Sequence, residues 1–261
     1  GYKENYEVLI KVNKQSSEIN AAVTKKDGEI AAGDQGIMFG FACDETDELM
    51  PTPIYYAHKL ALKLRDIHKK YDELGPDGKT QVTVRYIDNV VNSTDSIVIS
   101  TQHSPNTDLE TIKEIIINEV INPTIPKSLI TSDTKYLINP SGSFIVGGSF
   151  GDSGTTGRKI VCDTYGGYSR VGGGCLSSKD PSKVDRSTAY YCRYVAKNIV
   201  AYGLARKCEI GVSYAIGCVN PISIFIDTFG TSTLPEEQLE EIISKNFDFS
   251  VTNIINELDL C

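Results

Sequence analysis

No stretch of about 18 uncharged apolar residues occurs in the chain, so the sequence offers no membrane-spanning helix. The opening residues, GYKENYEVLIKV, lack the apolar run of a secretory signal peptide. Cysteines are present but unpatterned: Cys43, Cys162, Cys175, Cys192, Cys208, Cys218 and Cys261 make an odd set with no CxxC spacing. That argues against a disulfide framework and against a structural zinc site. A reducing compartment, most simply the cytosol, is expected. Positive charge is also short: 26 Lys+Arg face 34 Asp+Glu, a net charge of -8, which argues against a general nucleic-acid binder. There is no GxxxxGK[ST] string and hence no P-loop. GGSFGDSG is a poor dinucleotide fingerprint, because no acid about 20 residues on caps a following strand convincingly. The three histidines fall in no hydrolase-like context: His58 and His68 lie in a helical stretch and His103 follows a strand. Positioning and electrostatics, rather than covalent catalysis, are the chemistry left open.

What is present is an ordinary globular composition, 40% hydrophobic and 23% charged over 261 residues. Such a length makes one large or two ordinary domains with a sizeable core. Tyr6 to Val12 reads as a strand and Gln15 to Ala32 as a polar, mobile loop. From Pro53 the apolar residues Ile54, Ala57, Leu60, Ala61, Leu64, Ile67 and Tyr71 recur at helical spacing, with Thr52 as N-cap, Pro53 at N1 and Gly75-Pro76 as the stop. KTQVTVRY and SIVIST read as strands, Asp108 to Ile121 as an amphipathic helix, and FIVGG as a strand. A long helix is expected over Lys183 to Leu204, then strands in EIGVSYAIG and ISIFIDTF, then helices over Pro235 to Phe247 and Val251 to Leu258. Strand pairs interspersed with helices predict an α+β fold, with antiparallel or mixed sheets and helices on one face.

The densest signal is glycine. Gly142 to Gly174 holds 11 of the 22 glycines in 33 residues. Glycine lets backbone approach a ligand, and successive amides in such turns form anion nests. From Asp152 to Arg186 six cations (Arg158, Lys159, Arg170, Lys179, Lys183, Arg186) face four acids, a net +2 in an acidic chain. A compact polyanion such as a nucleotide polyphosphate is the functional reading, and a surface loop with solvated lysines is the plain alternative. Asp185 beside Lys179 and Lys183 suits a Mg²⁺ ligand at a phosphate site, or a charge that merely favours a helix N-terminus.

GDQGIMFGFACDET, GPDGKTQVTVRY, GDSGTTGRKIVCDTYGGY, GGGCLSSKDPSKVDRSTAYYCRYVAKNIV and VSYAIG follow the order and spacing of the S-adenosylmethionine synthetases, and the chain resembles that family through nearly all its length. The resemblance implies repeated sheet-plus-helix domains. It implies joining of ATP and L-methionine by sulfur attack at the ribose 5′ carbon, with expulsion and hydrolysis of the triphosphate. It implies two Mg²⁺ per site, K⁺, and a second copy of the subunit completing the active site in a homodimer or homotetramer, with neither nucleic acid nor membrane as partner. By the same resemblance Asp77, Lys79, Ser141, Gly142, Ser143, Phe144, Asp152, Arg158, Lys159, Cys175 and Lys179 contact ATP. Phe144 would stack on adenine, and Arg158, Lys159 and Lys179 would hold the triphosphate. Gln15, Asp152 and Lys183 would contact methionine, Asp34 would be an active-site acid and Asp185 a Mg²⁺ ligand.

Ser143, Cys175 and Leu176 stand where the family often has Arg, Ala and Phe. The family's HPDK string, its K⁺ glutamate and its methionine glutamate have no match here. The expected organisation is a remnant of the first domain with the gating loop (1–32), a middle domain (33–147) and a truncated C-terminal domain (148–261). As such a fragment the chain is expected to be inactive by itself. The alternative is a non-catalytic nucleotide-binding or regulatory relative.

Overall fold

The structure, a computed structural model, describes residues 7–14, 16–25 and 28–261. In chain order the elements are α1 (Ser17–Val23), β1 (Gly36–Cys43), α2 (Thr52–Ile67), β2 (Leu74–Ile87), β3 (Val90–His103) and α3 (Leu109–Ile115), which runs on as a π-helix (Ile116–Ile121). A 3₁₀ turn (Lys127–Leu129), β4 (Lys135–Ile138) and the single-turn helices α4 (Gly148–Gly151) and α5 (Ile160–Asp163) follow. The long α6 (Val184–Ala201), β5 (Lys207–Tyr214), β6 (Ser223–Asp227), α7 (Glu236–Asn246) and α8 (Val251–Glu257) complete the order. Among the described residues the strands make two three-stranded sheets, an α+β arrangement, and no helix is long and apolar enough to cross a membrane. Two compact units result: one spans 51–155, and the other joins the described residues up to 50 with 156–261.

In the 51–155 unit the sheet order is β2-β3-β4, with β2 and β3 antiparallel and β4 parallel to β3. Asp88 and Asn89 close the β2–β3 hairpin, both left-handed (φ 50° and 60°), the conformation that a two-residue turn needs to match strand twist. Helix α2 presents Leu60, Leu64 and Ile67, and the α3–π segment Ile112, Ile116 and Val120, to a core shared with Val82, Ile97 and Ile99. Each such aliphatic side chain contributes about 1.5–3 kcal/mol when fully buried.

In the other unit the order is β1-β5-β6, antiparallel throughout. Helix α6 lies on this sheet with Val184, Tyr191, Cys192, Val195 and Ile199 buried against Met38, Ala42, Ile210 and Val212. The crossing is close at Gly40, where a Cβ would sit 2.1 Å from the Arg193 backbone nitrogen. On the opposite face Phe41 is capped by Tyr165, whose hydroxyl accepts from the Phe41 amide (2.8 Å) and from Arg193 Nε (3.0 Å). The buried Glu209 carboxylate accepts from Ser169 Oγ (2.6 Å) and from Arg170 (backbone 3.0 Å, Nη1 2.7 Å).

Several expectations are corrected. Residues 7–12 form no strand, although Val8, Leu9, Ile10 and Val12 are strongly exposed; an alternating apolar segment needs a paired strand, and none of the described residues pairs with it. Tyr6 lies outside the described residues. The Gln15–Ala32 loop contains a helix, α1, and a bridge between Thr24 and Ile30. FIVGG is not a strand: Gly147 packs on Asp77 and Gln102, and Gly148 turns left-handed (φ 62°) into α4. Helix α2 begins one residue early, with Pro51 as N-cap, and ends at Ile67; Gly75 and Pro76 lie inside the irregular start of β2. The Asp108–Ile121 helix changes to π geometry at Ile116, after Asp108 caps it through its carboxylate to the Thr111 amide. Pro235 is the N-cap of α7 rather than its first residue.

Candidate functional site

The glycine- and cation-rich segment organises around the first turn of α6. Asp185 is the second residue of that helix, and its Oδ2 accepts from Lys179 Nζ at 2.7 Å, both side chains being mostly buried. Gly174 makes room for this carboxylate, since a Cβ there would lie 2.1 Å from Asp185 Cγ. Arg186 Nη1 donates to the Lys179 carbonyl (2.8 Å), fixing the loop that carries the lysine. Lys183, the N-cap residue, sends Nζ to the Gly33 carbonyl (2.9 Å), while Gly33 N donates to the Ser182 carbonyl (3.0 Å). Gly33 is thus laid on the Lys183 stem, and a Cβ there would come within 3.2 Å of Lys183 Cδ. Asp34 follows in an exposed turn, its Oδ1 accepting from the Gln35 amide (2.9 Å). A cleft of about 420 Å³ beside Lys183 is lined by Asn20, Val23, Ile30, Asp180 and Ser182.

The charges are tuned accordingly. Burial pulls the Lys179 ammonium down, but the Asp185 hydrogen bond and charge, with Cys175 and Asp34, together hold it above the ordinary lysine value. Two Ser182 hydrogen bonds, from the backbone and the side chain, lower the Asp180 carboxyl. Gly157 packs on Cys175, a Cβ there falling 2.4 Å from Cys175 Cβ, so the Arg158-Lys159 pair leaves the Cys175 loop with both side chains exposed. This unit therefore brings together Asp34, Lys179, Lys183 and Asp185, with Cys175 beside them. Arg158 and Lys159 stand at the loop's outer edge.

A second set gathers in the 51–155 unit, at the end of β3. Asp77 and Lys79 lie two apart on β2. Asp77 Oδ2 accepts from the Gly148 amide (2.8 Å), and Asp152 closes the same turn through its own amide to the Gly148 carbonyl (3.0 Å). Asn139, left-handed at φ 43°, starts a turn in which the Gly142 amide reaches the Asn139 carbonyl (2.8 Å), with Pro140 at its second position. That turn displays Ser141 and Ser143 to solvent and leaves Phe144 half-buried. Gln15 lies outside the described residues.

Three residues to which the sequence reading gave no part in a site hold this second set in place. Thr101 is gripped by the Asn139 amide (2.8 Å to its N, 3.0 Å from its O). Gln102 donates to the Ile145 carbonyl (2.9 Å) and accepts from the Asp77 amide (3.4 Å). His103 pairs with Phe144 through both backbone and ring (2.9 and 3.1 Å). The one signal available in the sequence was the polar run Thr101-Gln102-His103 ending an apolar strand.

Among the described residues no three His, Cys, Asp or Glu side chains converge into a metal cage. A single carboxylate, cleared by a glycine and flanked by lysines, does fit Mg²⁺, which takes one or two carboxylates and draws further ligands from phosphate and water.

Comparison with known proteins places two family descriptions end to end on the chain. "S-adenosylmethionine synthetase, central domain" matches residues 29–144, and "S-adenosylmethionine synthetase, C-terminal domain" matches residues 146–261. A protein named S-adenosylmethionine synthase from Desulfosudis oleivorans is 55% identical over 258 residues, covering 97% of this chain and 66% of that protein. One of the same name from Sorangium cellulosum is 52% identical over 262 residues, covering 98% of this chain and 62% of that protein. The chain therefore spans somewhat less than two thirds of the length of these relatives.

Proposed function

The chain belongs to the S-adenosylmethionine synthetase family, and from that premise we propose that it supplies the nucleotide-handling part of an enzyme that makes S-adenosylmethionine from ATP and L-methionine. The observation that carries the reading is the constellation at the start of α6: Lys179 on Asp185, Lys183 on the Gly33 carbonyl, and Gly174 clearing the carboxylate. A thioether sulfur needs no deprotonation, so the chemistry asks for alignment and for a sink for the leaving triphosphate rather than for a general base. Lys179, Arg158 and Lys159 bind the phosphate oxygens, Lys as a point charge and Arg as a fork. Asp185 holds Mg²⁺, which when bound neutralises the charge that develops on the triphosphate. Asp185, which now accepts from Lys179 at 2.7 Å, is the carboxylate that would hold the metal, and Lys179 is the cation that would meet a phosphate oxygen.

Within the 51–155 unit, Asp77, Lys79, Ser141, Gly142, Ser143 and Phe144 would contact a nucleoside, with the Phe144 ring against the adenine face. Asp152 meets the methionine amino group and ATP, and Lys183, beside the 420 Å³ cleft, faces the methionine end. Asp34 and Cys175 flank the lysines. The domain division at 32/33 and 147/148, work in the cytoplasm, a second copy of the subunit and K⁺ complete the proposal. The test is S-adenosylmethionine formation from ATP and methionine by the full-length protein containing this chain. Product that vanishes in Asp185→Ala supports the reading; nucleotide binding with no product under any metal condition would favour the non-catalytic relative.

A further inference from the structure

We propose that His103 is a positioning residue whose neutral imidazole seats Phe144 for the adenine base. The proposal deepens the reading of Ser141–Phe144 as the adenine seat and rests on it. Strand β3 ends at His103, which is 4% exposed. Its backbone amide donates to the Phe144 carbonyl at 2.9 Å, and the Phe144 amide donates back to His103 Nε2 at 3.1 Å. A backbone amide can only donate, so Nε2 must accept and the ring proton must sit on Nδ1. That proton has an acceptor in place, the Ser104 carbonyl at 2.9 Å. Both ring nitrogens are therefore used, and one tautomer satisfies both.

The grip on this loop is distributed over three successive residues. Thr101 takes Asn139, Gln102 takes Ile145 and His103 takes Phe144. Residues 143–147 have no strand ladder of their own, and Ile145 and Val146 lean into solvent. The seat of the Phe144 ring thus depends on a few cross-loop hydrogen bonds, one of them backbone to backbone, and the one to the His103 ring acts on the Phe144 backbone itself. A stacking ring must be held in place before the base arrives, because freezing it on binding costs affinity. His103 does this without touching the nucleotide.

The test uses the full-length protein with three variants. His103→Phe keeps the ring shape but leaves the Phe144 amide without its acceptor, and should weaken ATP about tenfold in Kd and KM while the methionine KM stays unchanged. His103→Gln returns an acceptor near the Nε2 position and should bring ATP affinity back near the parent value. Phe144→Ala separates the two levels of the argument. If it leaves ATP binding untouched, the adenine reading fails and takes the role of His103 with it. If it weakens ATP while His103→Phe does not, the positioning role alone is overturned. Equal losses for ATP and methionine in both the Phe and Gln variants also overturn it, since that is the mark of a general structural role. Should His103→Phe not fold, the ¹⁵N imidazole spectrum of the unmodified protein decides: the Nδ1–H tautomer, kept on adding ATP, is expected, and an Nε2–H tautomer contradicts the proposal.

Discussion

Lys179 and Asp185 neutralise each other while no polyanion is bound, and that determines what their removal should do. Lys179→Ala deletes a charged donor that hydrogen-bonds a mostly buried carboxylate at 2.7 Å. Hydrogen bonds to charged groups are worth about 1.5–3 kcal/mol, so triphosphate affinity should fall roughly 10–100-fold, with methionine KM nearly unmoved. Steady-state kinetics check this; an unchanged triphosphatase rate with a raised methionine KM would remove Lys179 from the phosphate site. Asp185→Asn keeps the shape and loses the charge that attracts Mg²⁺. The Mg²⁺ concentration for half-maximal rate should rise, and excess Mg²⁺ should restore part of the activity. Loss of activity that never responds to Mg²⁺ in a folded variant would end the metal assignment. His68 adds a pH effect. Burial lowers its pKa despite the opposing Asp77 charge, and its Nε2 sits 3.1 Å from Thr101 Oγ1. With the folded value below the unfolded one, the unfolded chain binds the extra proton, so this contribution to stability is lost as pH falls through about 6.5. Urea midpoints at pH 7.5 and 5.5 should converge between the parent and His68→Gln as pH drops; midpoints that diverge would contradict it.

Helix α6 is the element on which the site turns, and glycines meet it closely at its first turn (Gly174 on Asp185) and at its middle (Gly40 on Cys192 and Arg193). Gly174→Ala puts a Cβ 2.1 Å from the Asp185 carboxyl carbon. It should reproduce the Mg²⁺ defect of Asp185→Asn while the helix content by circular dichroism stays intact; unchanged Mg²⁺ dependence would show that the carboxylate has another place to go. Long periodic elements such as α2 and α6 were legible because their cores recur every three or four residues. The short ones were not. FIVGG has the composition of a strand, yet Gly147 and Gly148 bend it toward Asp77 through contacts 70 residues away in sequence. Helix α1 and strand β4 (KYLI) are too short for a period to show. At the site the Lys179–Asp185 pairing was implied by clustering of charge, but the Lys183–Gly33 contact and the parts played by His103, Gln102 and Asn139 were not. Their role depends on where the 139–145 loop lies in space, which no local pattern encodes.

At the scale of the molecule, a chain of net charge -8 concentrates six of its 26 cations between Asp152 and Arg186. On the proposed reading that contrast would favour a polyanion at this segment, through the cations other than Arg170, which is taken up by Glu209. Each unit has its own buried core among the described residues, whereas the apolar residues Val8, Leu9, Ile10 and Val12, and Ile37, Ile224 and Phe225 on the β1-β5-β6 sheet, are exposed. Purified as given, the chain should bind tripolyphosphate weakly and form no measurable S-adenosylmethionine, because alignment can supply about 7–11 kcal/mol of barrier lowering and the relatives bring a longer chain to that task. Turnover near that of a complete synthetase would refute this. The most direct test of the central claim is tripolyphosphate binding to the full-length protein by calorimetry in the presence of Mg²⁺, parent against Lys179→Ala. The account predicts at least about a tenfold loss of affinity in the variant; equal affinity in the two would mean that the loop before α6 is not where the triphosphate is held.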